Sequence, residues 1–206
     1  MNDITITFPD KSTRSFPAGI NSLQIAESIG PRLAEAAVAV KIDDRFTDLT
    51  VPIDHDAKVE IVTGDSKEGH DVLLHSTAHL MAQAVKSLFP DAKVTIGPAI
   101  ENRFYYDFDI DSTFSDVDLG KIEAKMQALA KSDYSISRLE LKRNEALKTF
   151  KEMGEEYKVE IIEAIDESEP ISVYRQDDFL DLCRGPHVPS TGKIKYFKLL
   201  GTSGAY

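Results

Sequence analysis

A chain of 206 residues with 42% hydrophobic and 29% charged residues has an ordinary globular composition, and length for one large domain or two smaller ones. Its formal net charge of −11 argues against a general nucleic-acid binder, because polyanion affinity comes largely from Lys and Arg neutralising phosphates. No apolar run approaches the roughly 20 residues of a membrane span, no signal-peptide pattern opens the chain, and the single cysteine cannot make an internal disulfide, so a reducing, cytoplasmic setting without a membrane partner is expected.

Residues 3–8 alternate apolar and polar, the period of a half-buried strand, and Pro9-Asp10-Lys11-Ser12 is turn chemistry before a partner strand ending near Phe16. Asn21 and Gln24 have capping-box spacing for a short helix that Gly30-Pro31 ends. An apolar strand over 37–42, a turn at Asp43-Asp44, and two short strands near 46–49 and 59–62 follow. The order β-β-α-β-β-β within residues 1–63 predicts a small ubiquitin-like β-grasp domain. Residues 64–70, polar with a glycine at each end, read as a linker.

Residues 71–206 read as a second, larger α/β domain, so the fold class is α+β overall. Asp71 is placed to cap a helix running to about Phe89. Strands are predicted over 93–96 and 104–108, with Gly97-Pro98 breaking the chain between them. Ser115 and Asp118 have the spacing of a helix cap for residues 117–131. Tyr134, Ile136, Leu139 and Leu141 suggest a strand whose alternation shifts once, at a bulge. Two short helices separated by Gly154 and strands over 171–174 and 195–200 complete the pattern.

The chemistry concentrates in His75-Ser-Thr-Ala-His79 and Asp181-Leu-Cys183-Arg-Gly-Pro-His187. On a helix, His75 and His79 stack on one face, beside the apolar stripe Leu74, Ala78, Met81, Val85 and Leu88. Alone, His-x-x-x-His is unspecific, since Ser76 stands where a metalloprotease has its glutamate, and Cys183 alone reads as a small core residue. Together, His75, His79, Cys183 and His187 are zinc ligands in type and number. The expectation is that the two stretches meet and make a hydrolytic site.

Residues 75–79, Ile-Gly-Pro-Ala-Ile-Glu-Asn-Arg-Phe-Tyr-Tyr-Asp at 96–107, Tyr-Lys-Val at 157–159 and Asp-Leu-Cys-Arg-Gly-Pro-His-Val-Pro at 181–189 carry a resemblance. The second region resembles the editing domain of class II threonyl-tRNA synthetases, and the first resembles the β-grasp (TGS) domain of the same enzymes. The editing domain of alanyl-tRNA synthetases shares the His-x-x-x-His and Cys-x-x-x-His pairs, but it does not follow a β-grasp module. The resemblance implies proofreading hydrolysis of seryl-tRNA(Thr), because one missing methyl gives a synthetic site only about 1–3 kcal/mol of discrimination. It places His75, Lys158 and Asp181 in catalytic roles, with His79, Gly97, Tyr106, Cys183 and His187 contacting the serine moiety and terminal adenosine. Read without the resemblance, Lys158 is a solvated lysine and Tyr106 a core residue.

The resemblance also implies that no metal is required, while zinc at His75, His79, Cys183 and His187 stays open. The expected partners are the tRNA(Thr) 3′ end carrying serine and the aminoacylation domain of the full-length enzyme, which the family carries beyond Tyr206. Lys142, Arg143, Lys148 and Lys151, and Lys193, Lys195 and Lys198, are the basic clusters available to phosphates. A non-catalytic tRNA- or partner-binding module, a zinc-dependent hydrolase of the alanyl type or of small molecules, and a natural stand-alone editing protein are the alternatives.

Overall fold

In the computed structural model, residues 2–97, 99–100 and 102–204 are described; Pro98 and Glu101, both within the 96–107 stretch, lie outside them. The chain divides into two units, residues 1–73 with 185–189, and residues 74–184 with 190–206.

In the first unit the alternating segment forms β1 (Asp3–Thr7), paired antiparallel with β2 (Thr13–Pro17). The two-residue β3 (Ile20–Asn21) leads into α1 (Ser22–Ile29). Asn21 and Gln24 make the expected reciprocal capping box. Pro31, expected only to end that helix, also starts α2 (Pro31–Ala36), because a fixed φ and a missing N–H suit the first helical position. β4 (Ala37–Ile42) follows, then β5 (Arg45–Thr47), shorter than and shifted from the strand expected at 46–49. Asp43 and Asp44, both at positive φ, make the tight hairpin between them. β6 (Pro52–Ile53) pairs with β3, and β7 (Ala57–Thr63) completes a mixed sheet of order β2-β1-β7-β4-β5. Ile25 and Ala26 of α1 pack on Ile4, Ile6, Val40 and Val59, which is the β-grasp arrangement.

Helix α3 (Lys67–Leu88) begins earlier than Asp71. Ser66 caps it, accepting from the Gly69 N–H at 3.1 Å, so residues 67–70 of the expected linker are its first turn. Gly69 lets that turn close: a Cβ there would sit 2.0 Å from the Thr63 carbonyl oxygen.

In the second unit, β8 (Lys93–Val94) pairs with β11 (Phe108–Asp109), and β9 (Ala99–Ile100) with β10 (Arg103–Phe104). The single strand expected over 104–108 is thus two short ones, with Tyr106 between them. Helix α4 (Asp116–Ser132) carries the expected Ser115–Asp118 capping box. β12 (Ile136–Leu141), β13 (Ile171–Gln176) and β14 (Phe179–Leu182) form an antiparallel sheet in that order. The β12–β13 ladder runs without a bulge; the apparent shift in alternation arises because β12 carries apolar residues on both faces. Helices α5 (Arg143–Glu152) and α6 (Glu156–Ala164) flank Gly154 and bury Phe150 and Ile162 against Ile171, Val173 and Leu180. Residues 195–200 form no strand; among the described residues after β14 the only helical piece is a 3-10 turn, Thr191–Lys193.

The period of two along β14 sets its chemistry. Leu180 and Leu182 face the α5–α6 core, while Phe179 packs with Ala78 and Ala82 of α3. Asp181 shares the parity of Phe179, and Cys183 continues it.

Candidate active site

Six of the eight residues singled out from sequence gather in the second unit, with Gly97 against one of them. Asp181 is fully buried and is the centre of the group. The Tyr106 hydroxyl donates to its Oδ2 at 2.5 Å. Lys158 Nζ lies 2.7 Å from Oδ1, an ion pair not aligned as a hydrogen bond, and donates to the Tyr106 oxygen at 2.9 Å. His79 Nδ1 approaches Asp181 Oδ2 at 3.4 Å. The solvated lysine that Lys158 suggests in isolation is therefore a buried, paired one.

Charge follows burial. Desolvation, then the neighbouring His75 and Lys158, pushes the His79 pKa well below the usual imidazole value, so His79 is neutral at pH 7. Desolvation, with the Asp181 carboxylate beside it, pushes Tyr106 well above the usual phenol value, so it remains a donor.

His75, one turn before His79, is half-buried, and the two rings meet edge to face at 5.0 Å. Its Nε2 lies 3.3 Å from Cys183 Sγ. The thiol's backbone is fixed by Ser172, whose carbonyl accepts from the Cys183 N–H at 3.2 Å and whose hydroxyl donates to the Cys183 carbonyl at 2.6 Å.

Gly97 sits against the Tyr106 ring. The two segments are pinned by Asp107 N–H donating to the Ile96 carbonyl at 2.9 Å, and a Cβ on Gly97 would fall 2.2 Å from Tyr106 Cδ2. The close approach expected of Gly97 is thus to a protein ring. His187 belongs to the segment that groups with the first unit, where its side chain is buried and its backbone N–H donates to Asp48 at 2.8 Å.

His75, His79, Gly97, Tyr106, Lys158 and Cys183 line a cleft of about 410 Å³, within the usual range for small-molecule sites. Ile161, Ile165 and Leu182 supply apolar wall, and Glu169 and Arg184 form part of the lining. A larger recess of about 710 Å³ beside α4 and residues 192–197 gathers no imidazole or thiol and offers no comparable chemistry.

The donor atoms of His75, His79 and Cys183 lie within 4.8 Å of one another, close enough to share a tetrahedral zinc ion. The Asp181 carboxylate near His79 Nδ1 is also placed as the hydrogen-bond partner that orients a ligating imidazole. The residues of this unit therefore fit a three-ligand zinc site.

Some of the surroundings were not visible in sequence. Glu155, fully buried ahead of α6, pairs with Lys86 at 2.7 Å and accepts from the Val94 N–H at 3.0 Å. Its signal was a carboxylate following Gly154 at a helix start. Gln83 and Gln176 bond each other reciprocally between α3 and β13, with no signal beyond their being polar in apolar surroundings. The basic clusters are also less available than expected. Arg143 donates to the carbonyls of Ile162, Ile165 and Asp166 at the end of α6, and Lys198 pairs with Glu123 at 2.8 Å.

A TGS domain model matches residues 4–63, and the model described as Threonyl and Alanyl tRNA synthetase second additional domain matches residues 171–205. Threonine–tRNA ligase of Geobacter sp. (strain M21) is 56% identical over 206 residues, 100% of this chain and 32% of that protein. The threonine–tRNA ligase of Alkalilimnicola ehrlichii is 56% identical over 201 residues, 98% of this chain and 31% of its own. That of Geobacillus sp. (strain WCH70) is 51% identical over 203 residues, covering 98% and 32% respectively. The chain spans about a third of the length of these relatives.

Proposed function

We propose that this chain is the N-terminal region of a threonine–tRNA ligase, as its resemblance implies, and that its second unit proofreads by hydrolysing seryl-tRNA(Thr) to serine and free tRNA. The observation that carries this reading is the cleft in which the His75–Cys183 pair faces substrate space above the buried Lys158–Tyr106–Asp181 web.

Ester hydrolysis needs an activated water, stabilisation of the oxyanion and a proton for the leaving ribose oxygen. In this reading His75, half-buried at the wall, takes the water proton and returns it to the ribose oxygen. Lys158 Nζ holds the water or the developing oxyanion. Asp181 already faces Tyr106, Lys158 and His79, so its part is to hold those three rather than to take the substrate's ammonium group. Neutral His79 and Cys183 contact the serine moiety, and Gly97 with Tyr106 forms the wall for adenosine. Threonine is spared because its extra methyl clashes with a pocket sized for serine.

No metal is needed for these steps. The second reading, a zinc-dependent hydrolase, is favoured by the closeness of the His75, His79 and Cys183 donors. Zinc there would supply a bound water acidic enough to ionise near neutral pH. In the full-length enzyme the unit would work in the cytoplasm beside an aminoacylation domain.

The test is incubation of the chain with seryl- and threonyl-tRNA(Thr), with and without prior chelation, alongside His75→Ala and Cys183→Ala. Selective loss of the seryl ester, unaffected by chelation and at least tenfold slower in His75→Ala, is expected. Stoichiometric zinc whose removal stops turnover would establish the second reading. Stability of both esters would leave a non-catalytic binding module.

A further inference from the structure

We propose that Arg184 is the phosphate-binding residue at the mouth of this cleft, and that Glu169 holds it in the absence of nucleic acid. The proposal rests on the proofreading reading and names how that site grips its substrate. A terminal aminoacyl-adenosine entering the cleft brings a phosphodiester on its 5′ side, and that anion requires a partner at the entrance. Among the described residues lining the cleft, the cations other than histidine are Lys158 and Arg184. Lys158 is buried against Asp181 and Tyr106 and is already assigned to the ester. Arg184 is different: its side chain is 81% exposed and pairs with Glu169 at 3.0 Å, itself half exposed.

The pair has the character of a latch. Exposed ion pairs are weak because water screens both charges. A guanidinium matches the two non-bridging oxygens of a phosphodiester as well as it matches a carboxylate, so nucleic acid can take the place of Glu169. Arg184 is also well placed in the chain, directly after Cys183, whose backbone is tied to Ser172 on both its N–H and its carbonyl. The guanidinium is thus anchored one residue from the thiol that faces the substrate. In a chain of net charge −11, one exposed arginine beside the reacting groups gives local attraction without a general affinity for polyanions.

Two esters separate the possibilities: seryl-tRNA(Thr), and the seryl ester of adenosine, which has no phosphate. With Arg184→Gln, KM for seryl-tRNA should rise about tenfold with kcat little changed, while the adenosine ester is hydrolysed as by the native chain. With Glu169→Gln, KM for seryl-tRNA should fall about two- to threefold, because the arginine is released. An equal loss on both esters in Arg184→Gln would mean a structural role and would overturn the proposal, as would an unchanged KM for seryl-tRNA. An unchanged KM in Glu169→Gln would remove the latch. Hydrolysis of neither ester by the native chain would overturn the proofreading reading itself, and the proposal with it.

Discussion

Gly97 shows how little space separates a working wall from a blocked one. Alanine there would place a methyl carbon 2.2 Å from Tyr106 Cδ2, so the ring has to move, and with it the hydroxyl that donates to Asp181 and accepts from Lys158. Overpacking of a buried site typically costs about 1–3 kcal/mol. Gly97→Ala should therefore melt several degrees lower and, on the proposed function, lose at least tenfold in seryl-tRNA hydrolysis, measured by thermal denaturation and deacylation kinetics. Native values for both would show that the ring has room to adapt. At this scale the sequence named the chemistry but not the contacts. The pairing of histidines was readable because helical spacing alone puts His75 and His79 together. The burial of Lys158 was not, because α6 presents it beside Val159 and Ile162, and only tertiary packing decides that the lysine also turns inward.

Helices were legible wherever a local device ends them. The Asn21–Gln24 and Ser115–Asp118 boxes are each made within four residues, so spacing alone fixes the start. The start of α3 was missed because Ser66 caps it through Gly69, a glycine demanded by the Thr63 carbonyl rather than by any helical signal. The strand expected at 195–200 failed for a related reason: its apolar residues, Tyr196 and Leu200 among them, are exposed and no ladder takes them up. Between elements the main unseen tie is Glu155, which joins the start of α6 to Lys86 of α3 and to the backbone of β8. Removing one partner of a buried pair is costly, though Lys86 keeps the Pro90 and Ala92 carbonyls as acceptors. Glu155→Gln should cost about 2 kcal/mol, or roughly 4–8 °C of Tm for a chain of this size, with α6 loosened most. Hydrogen exchange that speeds up elsewhere but spares residues 155–164 would contradict that placement.

Across the whole chain the acidic balance and the tRNA contact that the proposed function requires pull in opposite directions. The lysine and arginine clusters that looked available to phosphates are partly spent within the protein: Arg143 closes the end of α6, Lys198 pairs with Glu123, and Lys148 lies 3.8 Å from Glu152. Each phosphate a protein neutralises on a single strand steepens the dependence of log affinity on log salt by about 0.7. With Arg184 and at most a few other cations engaged, the slope for tRNA(Thr) binding to this chain should be no steeper than about −2, and affinity at physiological salt should be micromolar or weaker. Fluorescence anisotropy across a salt series measures both quantities. Nanomolar binding, or a slope near −5, would require a broad basic surface, which a net charge of −11 with so many of its cations internally paired does not provide. Weak, local capture suits the proposed proofreading: a 3′ end held loosely at the mouth would leave again once its ester is cleaved.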